Sequence, residues 1–391
     1  MKFKQIFTVL FIVTSYAVQA QKLKVKLVVK DAEKQTETML QSIAAAKGSN
    51  ASLIMPRTLE NGSLKLIATG DWTSGFFPGE LWKLFELTGN AKWKKKADSM
   101  TLLLEKEQFN GSSHDVGFKV YCSFGSGYKF INNDTHYKNV IIQAAKTLSK
   151  RFNPVVGCIR SWDHNKQSWK YPVIIDNMMN LELLFAATRL SGDSSFYNIA
   201  VSHANTTLKN HFRKNFSSYH VIDYDSSNGN ILKKVTHQGY ADESAWARGQ
   251  AWGLYGFTMC YRETKNKNYL QQADSIAAFI LHHPKLPEDL IPYWDYNDPE
   301  IPNVSKDVSA ATVTASALYE LSYYSEQGKW YRKMADKIML NLTNNYRSAV
   351  GENKGFILLH STGHRPAGSE VDVPLNYADY YYLEALVRSK Q

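Results

Sequence analysis

Apolar residues recur at three- and four-residue spacing along most of the chain, as amphipathic helices require. The pattern predicts helices near residues 32–46, 75–88, 92–108, 115–130, 135–151 and 175–190. Six more are predicted near 193–212, 244–263, 266–283, 307–325, 328–345 and 375–388. Short polar breaks pair several of them: Gly89-Asn90, Asn132-Asn133-Asp134, Gly192-Asp193, Lys265-Asn266-Lys267 and Gln327-Gly328. Such links favour antiparallel neighbours. Hairpins recurring about every sixty residues cannot bury their faces singly and must stack. The expectation is an all-α chain whose six helix hairpins close into an (α/α)6 barrel, with inner and outer helix rings. An open solenoid is the other arrangement the pattern allows.

Two ladders of residues run through this pattern. An aromatic precedes a small or aliphatic residue by four at Trp93/Ala97, Tyr137/Ile141, Phe196/Ala200, Tyr269/Ala273 and Tyr331/Ala335. Trp72, Asp115, Asp176, Arg248 and Ser309 advance in nearly the same steps, with Asp115 and Asp176 61 positions apart. The second set therefore stands at one end of equivalent elements, and a closed ring would gather it at one rim. Inner helices are expected after the longer loops, where Ala310, Ala311, Ala315, Leu321 and Tyr323 give the small-and-aromatic mixture of a crowded ring. The long segments 154–174, 213–243, 284–306 and 347–374 are rich in Pro, Gly, Trp and His and read as functional walls or small hairpins. No stretch resembles a linker, so residues 21–391 are expected to form one domain.

Composition narrows the classes. With 44% hydrophobic and 13% aromatic residues, the chain can build a large core and is not disordered. Its 9 Trp and 23 Tyr suit a cleft that stacks on sugar rings, although most must serve core packing. The N-terminus has the form of an export signal. Lys2 and Lys4 precede a mostly apolar run from Ile6 to Val18, and Val18-Gln19-Ala20 offers a small-residue cleavage site. That run is too short to span a bilayer, and no cysteine follows the cleavage point to take a lipid anchor. An exported protein starting near Gln21 is expected, with the periplasm favoured over full secretion. Losing Lys2 and Lys4 lowers the formal charge from +10 to +8. That balance suits an anionic partner such as an acidic glycan, while nucleic acid is not expected. Cys122, Cys158 and Cys260 read as small buried hydrophobes, with one disulfide open. Neither a metal-ligand spacing nor a phosphate-binding loop is present.

Asp115 and Asp176 are the leading candidates for chemistry. An Asp opening a helix most often caps it. Here each lies among apolar neighbours (Val116 and Phe118; Ile174, Ile175 and Met178), which raise a carboxyl pKa and suit a general acid. The densest polar-aromatic run is His237-Gln238-Gly239-Tyr240-Ala241-Asp242-Glu243-Ser244-Ala245-Trp246-Ala247-Arg248-Gly249-Gln250-Ala251-Trp252. Within it Arg248 offers a planar donor fork for a carboxylate, or a partner for Asp242 or Glu243. His220 has a structural role as its default. Asp71-Trp72-Thr73-Ser74-Gly75-Phe76-Phe77-Pro78-Gly79 places a stacking Trp before an inner helix. The polar run from His360 to Ser369 precedes the last helix, as anion donors or as a plain loop.

Taken together and in order, the motifs DWTSGFFPG, HDVGF, IIDNMMNLELL, HQGYADESAWARGQAWGLYG and DYYYLEALVR resemble the unsaturated glucuronyl hydrolases, glycoside hydrolase family 88. The resemblance runs from about residue 33 to the C-terminus. It implies an (α/α)6 barrel that acts on disaccharides and short oligosaccharides made by glycosaminoglycan or ulvan lyases. It also implies Asp176 as general acid/base and Asp115 as its partner. His220, Gln238, Arg248 and Trp252 are carried over as groups around the unsaturated sugar, with Trp72 and His114 lining the pocket. In such a family the loop before the last helix separates sulfated from unsulfated partners. Here Ser369 is the candidate contact, and Glu370 and Asp372 argue against strong sulfate binding beside it.

The implied chemistry needs no metal or organic cofactor. A 4-deoxy-4,5-unsaturated uronic acid is a vinyl ether, so protonation at C4 and water addition at C5 release the glycan. One positioned carboxyl can serve both proton steps, unlike the paired carboxylates that attack an anomeric carbon. Three readings compete with this one: a rhamnogalacturonyl hydrolase of the related family 105, a polysaccharide lyase on a helical toroid, and a non-catalytic glycan-binding protein.

Overall fold

The computed structural model describes residues 23–391 apart from 47, 49, 132 and 133. The export signal expected over 1–20, and the first two residues of the Asn132-Asn133-Asp134 break, lie outside them. Among the described residues twelve helical elements follow one another. They are α1 (Val25–Ala46), α2 (Phe76–Thr88), α3 (Ala91–Leu102), α4 (Gly117–Gly125 continuing through Ser126–Tyr128), α5 (Thr135–Ser149) and α6 (Asn177–Ser191). After these come α7 (Ser194–Asn210), α8 (Ala247–Thr264), α9 (Lys267–Leu281), α10 (Val308–Leu321), α11 (Gly328–Asn345) and α12 (Asn376–Ser389).

The even-numbered helices close on themselves. In turn α2 packs on α4, α4 on α6, α6 on α8, α8 on α10, α10 on α12, and α12 returns to α2. This is the inner ring of an (α/α)6 barrel, and the solenoid alternative falls. Inner helices have no solvent face: every residue of α10 is buried, and α12 is buried from Asn376 through Val387. Outer helices bury one stripe, as α9 does with Tyr269, Gln272, Ala273, Ile276, Ala277 and Ile280.

The aromatic/small ladder belongs to the outer ring, with every member 3% exposed or less. Four of its aromatics also reach back to the preceding outer helix. Trp93 Nε1 donates to Glu33 of α1 at 2.7 Å, Tyr137 to Asp98 of α3 at 2.7 Å, and Tyr269 to Asn205 of α7 at 2.7 Å. Tyr331 meets the Asp274 carbonyl of α9 at 3.5 Å. Phe196, at the equivalent place in α7, has no hydroxyl to do so. At the other end of the outer ring Arg347, just after α11, pairs with Asp31 of α1 at 3.2 Å.

Several expectations need correction. The predicted helix at 115–130 is π-helical over Gly117–Gly125 before a short α turn. The one at 92–108 stops at Leu102 and resumes as a 3-10 turn at Glu105–Phe109. α1 starts at Val25, seven residues before its apolar stripe was legible. Tyr323 is 50% exposed beyond the end of α10, not part of the ring. The three cysteines are buried and free.

Nine short strands accompany the helices, because loops this long must satisfy their backbone N–H groups locally. β1 (Met55–Glu60) and β2 (Ser63–Ile67) form a hairpin before α2 that the sequence pattern did not reveal. β3 (Phe152–Asn153) pairs with β4 (Cys158–Ile159). β5 (Pro172–Ile174), β6 (Val221–Tyr224) and β7 (Ile231–Val235) make an antiparallel sheet. β8 (Ser361–His364) and β9 (Ser369–Val373) form a hairpin before α12. β1–β2, β5 and β8–β9 each lead into the N-terminus of an inner helix, so strands and inner-helix starts share one end of the barrel.

Close approach between α4 and α6 explains a glycine in that end. A Cβ on Gly117 would lie 2.5 Å from Asn180 Oδ1 and 2.8 Å from its Cα. Neither helix can yield without shifting its neighbours in the ring. Gly117→Ala is therefore expected to cost about 1–3 kcal/mol of stability, read as a lowered denaturant midpoint with unchanged slope. A midpoint equal to that of the native chain would show that the contact is soft.

Candidate active site

Asp176 directly precedes α6, yet its side chain caps nothing. The contrast with other helices is sharp. Asn90, Asp134, Asp193, Asn266 and Asp307 each accept a backbone N–H at the start of α3, α5, α7, α9 and α10. The ordinary role of an Asp at this place is thus excluded, and its carboxyl turns into the rim instead. Burial pushes the Asp176 carboxyl up to about 7; the Arg248 charge opposes that shift and the Asp115 charge adds to it. A group near half-protonation at neutral pH can give and retake a proton.

His220 faces it from the start of β6. Its Nδ1 accepts the backbone N–H groups of both His237 and Gln238 at 3.1 Å. Two donors onto Nδ1 fix the proton on Nε2, which lies 3.8 Å from Asp176 Oδ2. Burial holds this imidazole well below its usual pKa, with the His237 and Arg248 charges adding to the effect. It is a neutral donor aimed at the acid.

Asp115 stands two residues before α4. Its carboxylate accepts from Ser113 Oγ at 2.9 Å and lies 3.2 Å from His114 Nε2. It is the more solvated of the two acids, so the apolar setting expected for both holds for Asp176 alone. His114 is buried, which lowers its pKa, and its Nδ1 lies 3.4 Å from Asn180 Nδ2. Asn180, one turn into α6 from Asp176, also accepts the Phe118 backbone N–H at 2.9 Å. One amide thereby ties the Asp115 segment to the Asp176 helix.

The other expected residues divide. Trp72 is partly exposed and packs edge-on against Phe76 and Phe118, leaving it available to a ligand. Trp252 is 0% exposed, so it cannot stack on a sugar; its indole N–H lies near Asp176 and weakly favours the ionised acid. Arg248 does not pair with Asp242 or Glu243, and its fork is not open to a substrate carboxylate. It is buried, forms a salt bridge with Asp307 at 2.8 Å, and donates to the carbonyls of Thr362 and Gly363. Gln238 donates to the same Gly363 carbonyl at 3.1 Å. Ser309 spends its hydroxyl on Asp307.

Ser369 is exposed at the start of β9, paired with His364 across the hairpin. The negative charge expected beside it is compensated. Glu370 is held by the Arg57 guanidinium at 2.5 and 3.0 Å, and Asp372 meets His360 at 2.7 Å. Sequence reasoning missed Asp307, Asn180 and the His237–His364–Trp162 row, in which His237 lies 4.9 Å from the His364 ring and 5.8 Å from the Trp162 ring. Only tertiary contacts single these residues out. Among the described residues no group of three or more His, Cys, Asp or Glu side chains is arranged to hold a metal ion.

A polar cavity opens at the opposite mouth, lined by Glu182, Arg262, Glu320, Glu384 and Arg388 among others. Its charges are spent on one another: Arg262 binds Glu320 at 2.9 Å and Arg388 binds Glu320 at 2.7 Å. Burial there would raise the Glu384 carboxyl, but Arg388 and Lys83 outweigh it and hold the group down to about 2. Such an acid keeps no proton to donate.

Comparison with known proteins points to one family. An unsaturated glucuronyl hydrolase of Formosa agariphila is 52% identical over 325 residues, 83% of this chain and 81% of that protein. An unsaturated chondroitin disaccharide hydrolase of Streptococcus pneumoniae is 32% identical over 342 residues, 85% of each. The crystal structure of an unsaturated glucuronyl hydrolase specific for heparin superposes with a TM-score of 0.88 at 44% identity, covering 93% of this chain and 97% of that one. No family model matches the chain.

Replacing the acid by its neutral isostere separates chemistry from stability. Asp176 binds its proton more tightly folded than unfolded, so its ionisation costs stability as pH rises from the ordinary carboxyl range through about 7. Asp176→Asn is expected to slow turnover yet raise stability at pH 8 by about 1–3 kcal/mol, with little gain at pH 4. Denaturant melts at the two pH values would read this; a variant less stable at pH 8 would contradict the buried-acid account.

Proposed function

The chain belongs to the unsaturated glucuronyl hydrolase family of glycoside hydrolases, and from that premise we propose that Asp176 is the proton donor for hydration of the C4=C5 vinyl ether at the non-reducing end of its substrate. One observation carries the assignment: an uncapped, buried carboxyl whose pKa lies near neutrality. Asp176 gives its proton to C4, leaving positive charge at C5 shared with the ring oxygen. Water adds at C5, and its proton returns to the Asp176 carboxylate. The resulting hemiketal opens by breaking the bond between C5 and the ring oxygen, which gives a C5 ketone and leaves C1 a hemiacetal. Collapse at C1 expels the glycan with its oxygen.

The neighbours have distinct roles in this reading. Asp115 is the acidic partner whose nearness helps Asp176 hold the proton until C4 arrives. His220 Nε2–H steadies the carboxylate that forms. Trp72 offers a ring face to the sugar. The uronate carboxylate does not need Arg248. α2, α6, α8 and α12 start at this rim without a side-chain cap, and their dipoles favour an anion there.

We place the substrate among the unsaturated-uronate-terminated disaccharides and short oligosaccharides left by glycosaminoglycan or ulvan lyases. The basic balance of the chain supports an acidic ligand. The N-terminal pattern of Lys2, Lys4, the Ile6–Val18 run and Val18-Gln19-Ala20 supports export, with the periplasm as the compartment that handles small oligosaccharides.

Turnover consumes a conjugated double bond, so ultraviolet absorbance should fall when the enzyme meets unsaturated disaccharides from chondroitin, hyaluronan, heparin or ulvan. The falling limb of kcat/KM should lie near pH 7, where Asp176 loses its proton, and Asp176→Asn should lower kcat by about 10²–10⁴. Absorbance rising on an intact polymer would identify a lyase. Calorimetric binding without any change in absorbance would identify a glycan-binding protein.

A further inference from the structure

We propose that Asp307 is a positioning residue for the reaction, acting through Arg248 on Asp176; the inference rests on Asp176 being the proton donor. Asp307 lies at the N-terminus of α10, fully buried, and uses its two oxygens differently. Oδ1 caps the helix, accepting from the Ser309 backbone at 3.0 Å and from the Ser309 hydroxyl. Oδ2 accepts from Arg248 Nη1 at 2.8 Å. Arg248 in turn grips the Thr362 and Gly363 carbonyls of β8. Gln238 binds the Gly363 carbonyl too, and its backbone N–H is one of the two that orient His220. A continuous chain of polar contacts therefore joins Asp307 to the imidazole that faces the acid.

The same pair sets the field at the acid. Asp176 is faced by His220 just before β6, by Arg248 and Trp252 from α8, and by Asp115 from the segment before α4. Arg248 is faced by Asp307, Asp176, Trp246 and Tyr377, and Asp307 by Arg248, Tyr296 and Tyr377. Arg248 and Asp307 together are neutral, so the guanidinium pulls only partially on Asp176. With Asp307 uncharged, Asp176 becomes the acidic group closest to hand for an otherwise unpaired buried cation. Its ionised form is then favoured, and the proton needed by C4 leaves at lower pH.

Asp307→Asn keeps the Oδ1 cap and removes the charge. The expected result is a falling limb of kcat/KM moved down by about one pH unit, which makes the rate at pH 7 about fivefold lower while the acid-side plateau falls less. Asp307→Glu should restore the native limb. Arg248→Gln, which removes the cation and leaves Asp307 alone, should move the limb the opposite way, and this arm stands even if the Asn variant fails to fold. Limbs unmoved in both charge-altering variants, with only the rate reduced, would overturn the proposal and leave Asp307 a helix cap. Full turnover by Asp176→Asn would instead overturn the underlying assignment.

Discussion

Closure of the inner ring is the constraint from which the rest follows. Six helices packed side by side leave no lateral face open to solvent. Every residue of α10 is buried, as is α12 from Asn376 through Val387. Because the chain enters each inner helix from the same side, the six N-termini point one way and the loops before them build one rim. Asp115 and Asp176 meet there, although 61 residues separate them. Outer helices hold the ring shut through a repeated device, an aromatic that buries its ring and reaches to the helix before it.

The two mouths of the barrel use the same residue types to opposite ends. At the far mouth the acids and bases are matched, and Glu384 is held ionised by Arg388 and Lys83 against the effect of burial. At the rim, Asp176 is buried with its nearest cation already committed to Asp307. Burial alone therefore does not make a general acid. What matters is whether a cation is free to stabilise the charged form, and around Asp176 the structure has spent it elsewhere.

Much of this was legible in the chain. Helical spacing gave nine of the twelve helices to within a few residues, because amphipathic outer helices and apolar inner ones both follow the three-and-four rule. It failed at α4, where Gly117 and the near approach of Asn180 accompany a π-helical turn that carries no separate spacing signature. It failed also on the strands, which are runs of only two to six residues inside long loops. The ladder of Trp72, Asp115, Asp176, Arg248 and Ser309 correctly identified the rim. It did not separate residues that point at a ligand from those that hold the wall.

Arg248 and Trp252 show why that distinction lies outside the sequence. Both sit in the most conspicuous motif of the chain, and both side chains are buried. An arginine near a catalytic acid invites the reading that it grips an anionic substrate, yet here both Nη groups are engaged within the protein, by Asp307, 59 residues later, and by two carbonyls more than 110 residues away. No local pattern encodes partners at such distances; only closure of the ring brings them together.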